Sequence, residues 1–241
     1  MEKGRVLMET RFINAFEFRN KSLGHQDFGN YAMHDSYAEI PDGEVWMSDH
    51  LDPYEIRIFK EMAEYEQKWL QSGVSPQTSY ENSVRFGNLL RVPQREPVQY
   101  EFYFAIHEVV VDIVDGRHVR DKHHSQFTQG GHGHVYEWLR PKNEIWIERL
   151  QMGETPFIVI HELTELLLMR DRGWSYAKAH MVASDVERWH RLNFPGLGLA
   201  PTNAVKDFLQ SIFSNQGWIH WVNESTNPPQ PSWLKRHKEH F

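Results

Sequence analysis

An internal duplication constrains this chain more than any single segment does. Along its 241 residues an ordered set of anchors recurs about one hundred residues later. His25-Gln-Asp-Phe28 answers His124-Ser-Gln-Phe127, and the stretch from Tyr37 to Trp46 answers that from Tyr136 to Trp146. Ile58-Phe-Lys-Glu-Met-Ala-Glu64 answers Val159-Ile-His-Glu-Leu-Thr-Glu165, Gly73 and Ser75 answer Gly173 and Ser175, and Tyr80 falls opposite His180. Each match is short, but their common order is not a chance product, and a repeat fixes architecture before any single element does. In this pairing Lys60 stands where the second copy has His161, Glu61 where it has Glu162, and Tyr80 where it has His180. An ammonium has no lone pair for a metal, so the first copy reads as a scaffold without ligands.

The local patterns fit an α+β unit made of a small antiparallel sheet followed by two helices, present twice. Phe102–Val114 is rich in aromatic and β-branched residues, as a strand or two strands joined by a bend would be. Asp115-Gly116 supplies a turn. Gly133–Leu139 and Glu144–Ile147 flank Pro141-Lys-Asn143 like a hairpin, and Glu44–Met47 is the matching strand of the first copy. The expected segments are 1–100 for the first repeat, 101–198 for the second, and 199–241 for a short helix near Ala204–Phe213 and a Pro-rich, basic tail.

The chemistry concentrates in Phe157-Ile-Val-Ile-His-Glu-Leu-Thr-Glu-Leu-Leu-Leu-Met169. This run is apolar nearly all round, the mark of a buried helix, yet it carries His161, Glu162 and Glu165. An unpartnered carboxylate is costly in such a place, so these groups require hydrogen bonds, cations or a metal. His161 and Glu165 share a face, one turn apart. Glu162 sits about 100° round from His161. Two ligands one turn apart with a carboxylate beside them is the layout of a metallohydrolase helix. The competing reading is a core helix whose acids pair with arginines such as Arg170, Arg172 or Arg188.

His161-Glu-Leu-Thr-Glu165 resembles the HExxH helix of the zincin metallopeptidases, with Glu165 in place of the second histidine. A carboxylate also ligates zinc, so the resemblance implies a zinc site with Glu162 as the general base and a strand leading into the helix. It covers about Ile158 to Glu187. The segment Arg170–Ser175 reads as a helix stop and a new N-cap. The helix that follows places Tyr176, His180 and Glu187 on one face. Packed antiparallel to the first helix, it offers His180 as the third metal ligand beside His161 and Glu165. Glu187 or Asp185 is the alternative, because thermolysin-like zincins take a Glu from a following helix. Tyr176, one turn before His180, is placed to donate to an oxyanion. The implied reaction is hydrolysis of an amide in a peptide or protein substrate. The alternative is a non-catalytic, duplicated structural or interaction protein of the accessory or virion type. Its polar helix would be held by salt bridges or a structural metal.

Composition narrows the setting. There is no cysteine, so any zinc must use His, Asp or Glu. A cytoplasmic location fits that absence, as does the lack of an apolar leader at the N-terminus. A formal net charge of -7 disfavours a nucleic-acid partner. The longest apolar runs are broken by His161 and Glu162 or by Asp112, so no membrane span is expected. A protein partner for the basic tail is a further expectation. Gly130-Gly-His-Gly-His134 puts His132 and His134 on one side of a strand, a partial match to the cupin metal pattern or else a flexible loop. His118, His123 and His124 lie in a charged stretch expected to face solvent.

Overall fold

The computed structural model describes residues 8–21, 28–93 and 96–214, without the side chains of 150–152. His25 and the Pro-rich tail lie outside the described residues. The elements run β1 (Glu9–Ile13), α1 (Ala15–Lys21), β2 (Tyr31–Ala32), β3 (Glu44–Ser48), α2 (Pro53–Gln71), α3 (Pro76–Leu90), β4 (Tyr100–Ile106), β5 (Val109–Val114), α4 (Gly116–Lys122), β6 (Gly130–His132), β7 (Glu144–Glu148), α5 (Thr155–Arg172), α6 (Tyr176–Asn193) and α7 (Thr202–Phe213). The fold is α+β, and the series strand, short helix, strand, strand, long helix, long helix occurs twice. No described helix is long and apolar enough to cross a membrane.

The two sheets repeat each other in order and register. The first is β1-β3-β2 and the second β4-β5-β7-β6. β1 pairs with β3 in parallel and places Arg11 opposite Trp46; β5 pairs with β7 in parallel and places Asp112 opposite Trp146. β2 and β6 pair antiparallel to β3 and β7, with Tyr31 facing Met47 and Gly130 facing Ile147. Each sheet is therefore mixed, which corrects the antiparallel expectation. Parallel neighbours need a crossover, and α1 or α4 lies in that crossover. Small details recur as well. Trp46 Nε1 donates to Glu44 Oε2 at 2.9 Å, and Trp146 Nε1 to Glu144 Oε2 at 3.2 Å. Arg19 donates to the Phe28 carbonyl and Arg120 to the Phe127 carbonyl.

Three local expectations change. Phe102–Val114 is indeed two strands, β4 and β5, turned by His107 and Glu108, both at positive φ. The partner of β7 is Gly130–His132 and not Gly133–Leu139, which folds into successive turns closed on the His132 and Tyr136 carbonyls. Asp115–His124 is not a solvated loop: Asp115 caps α4 by accepting the His118 amide, and Arg120 and Asp121 are buried.

By contacts the chain forms two compact units, Met1–Gln99 with Asp115–Thr128, and Tyr100–Val114 with Gln129–Phe241. The chain passes between the units at residue 100, and α4 with the loop after it joins the first unit. There Arg120 Nε donates to Glu55 Oε1 at 2.8 Å, and Arg91 bridges Glu55 and Asp121 at 3.1 and 2.9 Å, all buried. The core of the second unit is built from Val111, Ile113, Ile147, most of α5, and Val182 and Val186 of α6. Val205, Phe208, Leu209 and Ile212 of α7 join it, so α7 is part of this unit and not an appendage.

Candidate metal centre

α5 is buried on nearly every side from Thr155 to Leu168, as its apolar run requires. It ends at Gly173, whose φ of 63° lets the Gly173 and Trp174 amides close on Met169 and Leu168. Ser175 then begins α6. This tight turn brings the two helices together antiparallel, with His161 against Glu187 and Glu165 against His180.

The three expected ligands converge. His161 Nε2 lies 3.1 Å from His180 Nδ1 and 3.7 Å from Glu165 Oε2, and His180 Nδ1 lies 2.8 Å from the same carboxylate oxygen. These atoms form one of two described groups able to hold a metal ion. A tetrahedral site with zinc–ligand bonds near 2.0–2.1 Å has edges of about 3.3 Å, so the triangle is already close to the required size. His161 and Glu165 are buried, while the His180 side chain is one-third exposed, leaving one approach from outside.

The surrounding groups set the ligand atoms. A carboxylate only accepts, so His161 Nδ1 donates to Glu187 Oε2 at 2.9 Å. In the neutral ring this leaves the Nε2 lone pair facing Glu165 and His180, an arrangement common to metal-bound histidines. Glu187 is fixed in turn by Arg191 Nε at 2.8 Å, and Arg191 reaches Glu154 at 3.0 Å. Glu187 is therefore spent on orienting His161, which removes it as the third ligand. Asp185 pairs with Arg188. Arg170 pairs with the neighbouring Asp171, so neither it nor Arg188 neutralises the α5 acids.

His132 was missed as part of this cluster. β6 is buried, and His132 Nε2 lies 3.0 Å from Glu165 Oε1. The ring's N–H direction is off-line, leaving Nε2 without a well-aimed hydrogen-bond partner. The His134 amide donates to His132 Nδ1 at 3.2 Å, so the neutral ring carries its proton on Nε2 and presents an N–H to Glu165, not a lone pair. For that reason His132 suits holding Glu165 better than ligation in the second possible group, His132, Glu162 and Glu165. The signal in the sequence was the diglycine: a Cβ on Gly130 would meet Ile158 Cγ2 at 2.9 Å and Glu162 Cγ at 3.2 Å. A side chain here would push the Ile158, Ile147 and Glu162 side chains aside, so glycine suits a strand lying close on α5. The flexible-loop reading of Gly130–His134 is thereby replaced by a buried strand and the turn that leaves it.

The electrostatics follow from crowding. Burial opposes ionisation of Glu165, but the facing imidazoles of His132, His161 and His180 outweigh it and hold the carboxyl well below its usual range. Burial likewise opposes the charge on His161, yet Glu165 and Glu187 raise its imidazole well above the ordinary value. Half-buried Glu162 moves the other way: desolvation and the Glu165 carboxylate push it up. Tyr176 is exposed, with its ring 5.2 Å from that of His180.

The contacts also realign the repeats. Glu55 meets Arg91 as Glu154 meets Arg191. Met62 packs at Gly87 as His161 packs at Glu187. Met62, Ala63 and Glu66 therefore correspond to His161, Glu162 and Glu165, in place of Lys60, Glu61 and Glu64. The sequence pairing therefore ran two residues out of register in this helix, although the flanking anchors Trp46/Trp146 and Gly73/Gly173 are each one hundred residues apart. Tyr80 opposite His180 stands.

Compared with protein-family models, with curated proteins and with solved structures, the chain matches none.

Proposed function

We propose that the second unit is a zinc-dependent hydrolase acting on an amide, with a peptide or protein as substrate. The observation that carries this reading is the convergence of His161 Nε2, His180 Nδ1 and Glu165 Oε2 at spacings suited to one ion, with Glu187 already orienting His161. Zinc at such a site supplies a Lewis acid and a water of pKa near 7. Glu162, whose carboxyl burial and the Glu165 charge push up, would stand beside that ion as the general acid–base group, suited to hold a proton for the leaving amine. Tyr176 donates to the developing oxyanion, and one-third-exposed His180 marks the side from which substrate enters. A cytoplasmic setting is consistent with the cysteine-free composition.

Metal analysis of the purified protein should find about one zinc per chain, as one three-ligand set would hold. His161→Ala should remove the metal and chelator-sensitive cleavage of a peptide library together. Glu162→Gln should keep the metal and lose the cleavage, and Lys60→Ala should change neither. Protein that contains no transition metal and takes none up defeats the proposal.

One observation favours the structural alternative. His161 lies between Glu165 and Glu187 at ion-pair distances, so a protonated ring would balance the buried acids without any ion. Under that reading the protein is metal-free and His161→Ala chiefly unfolds it.

A further inference from the structure

The first unit keeps the carboxylate of the metal cluster and loses its imidazoles. Glu66 takes the place of Glu165, while Met62 and Tyr80 stand for His161 and His180. Here a cavity of about 320 Å³ opens, ten times the share of a single water and at the lower end of small-molecule sites. Glu66 lies at its inner end and is only 6 % exposed. Tyr31, Phe59 and Tyr80 form walls, and exposed Asp35 and Gln77 stand at the mouth. Among the described residues, no lysine, arginine or histidine lines it.

The carboxyl at the inner end is poorly matched. Glu66 Oε2 accepts from the Tyr31 hydroxyl and from Ser83 Oγ, each at 3.3 Å. That is long against the 2.5–2.7 Å of a strong bond from a hydroxyl to a carboxylate. Oε1 makes no hydrogen bond among the described residues, and no described cation pairs with Glu66. A buried carboxylate in this state is expensive unless a positive partner arrives. In the second unit the counter-charge comes from imidazoles or an ion they hold; in the first, Glu66 either keeps a proton or takes its positive partner from a ligand.

We propose that this cavity binds a small protonated amine, its ammonium N–H groups on Glu66 and its carbon body between Tyr31, Phe59 and Tyr80. Aromatic faces attract a cation as well as covering apolar carbon. With Glu66 and Asp35 in a lining that has no described basic residue, anions are disfavoured. The described metal-capable groups all lie in the other unit, so a bare metal ion lacks the ligands it would need here. Burial also pushes the Glu66 carboxyl up to about 7, the behaviour of an acid awaiting its counter-ion.

The test is calorimetric titration of the full chain with three probes of one shape: 2-phenylethylammonium, 2-phenylethanol and phenylacetate. The ammonium should bind at least about tenfold more tightly than the alcohol, a difference of 1.4 kcal/mol, and phenylacetate should not bind. Glu66→Gln should erase that preference. Tyr80→Leu, at a partly exposed wall position where folding is not at stake, should weaken the ammonium severalfold. Equal binding of ammonium and alcohol, a preference for phenylacetate, no binding by any probe up to about 10 mM, well past a millimolar Kd, or unaltered binding by Tyr80→Leu would each overturn the proposal.

Discussion

Glu187 touches no expected reacting atom, yet it decides which nitrogen of His161 is free. Replacing it by Gln keeps the shape and removes the charge. Metal affinity should then fall about 10–100-fold, the usual cost of losing such an orienting partner, as read by competition with a chromophoric chelator. His132→Ala should have a comparable effect through Glu165. The site residues on helices were legible because a polar triad in an apolar run has few explanations. His132 was not, since its meaning depends on a strand pairing that the nearby Pro141-Lys-Asn143 turn signal disguised. Glu187 was read as a candidate ligand because its periodicity places it on the right face. Only the 2.9 Å contact with Nδ1 shows that it meets the far side of the ring.

At the scale of elements, α5 and α2 are the same helix under different loads. α5 is a core rod, and Leu163→Ala, at a fully buried position, should cost about 2–5 kcal/mol in denaturant unfolding. α2 carries Glu66, and the sign of its pH dependence is fixed. A carboxyl raised from 4.5 to about 7 favours the protonated form in the folded state. That stabilisation is complete below pH 4.5 and is lost as pH rises through 7. The groups facing Glu66 are the Tyr31 and Ser83 hydroxyls, Tyr80 and Asp35. Glu66→Gln imitates the neutral acid, so its Tm relative to the parent should climb between pH 4.5 and 7.5; a constant difference would contradict the buried, unpaired carboxyl. One helix boundary was legible here, since the stop and new N-cap read at Arg170–Ser175 put Gly173 and Ser175 at caps. The register between the two long helices was not, because it is set by contacts such as Glu55–Arg91 and Glu154–Arg191, which periodicity does not carry.

For the whole molecule the duplication supplies its own experiment. Installing Met62→His and Tyr80→His together places two imidazoles beside Glu66, as His161 and His180 stand beside Glu165. The double variant should take up a second equivalent of transition metal, while the same change made at Lys60 in place of Met62 should not. The repeat itself was readable from Trp46 and Trp146, whose pairing the strand register reproduces. Its sheet was misjudged as antiparallel because a crossover through the short α1 or α4 looks, in sequence, like a charged loop. Buried charge in the first unit adds a further expectation. Glu55→Gln leaves Arg91 and Arg120 facing a neutral group, and should cost about 3–5 kcal/mol in chemical unfolding.

The allotment of Asp115–Thr128 to the first unit bears on how the chain is made. Synthesis runs from the N-terminus at ~5–20 residues per second, so β4 and β5, which belong to the second unit, emerge before the first unit has received its last piece. For those few seconds Glu55 and Arg91 wait for Arg120, and the nascent protein cannot finish one half before beginning the other. Ribosomes stalled after Gln99 should hold a protease-sensitive first unit, and ribosomes stalled well beyond Thr128 a resistant one.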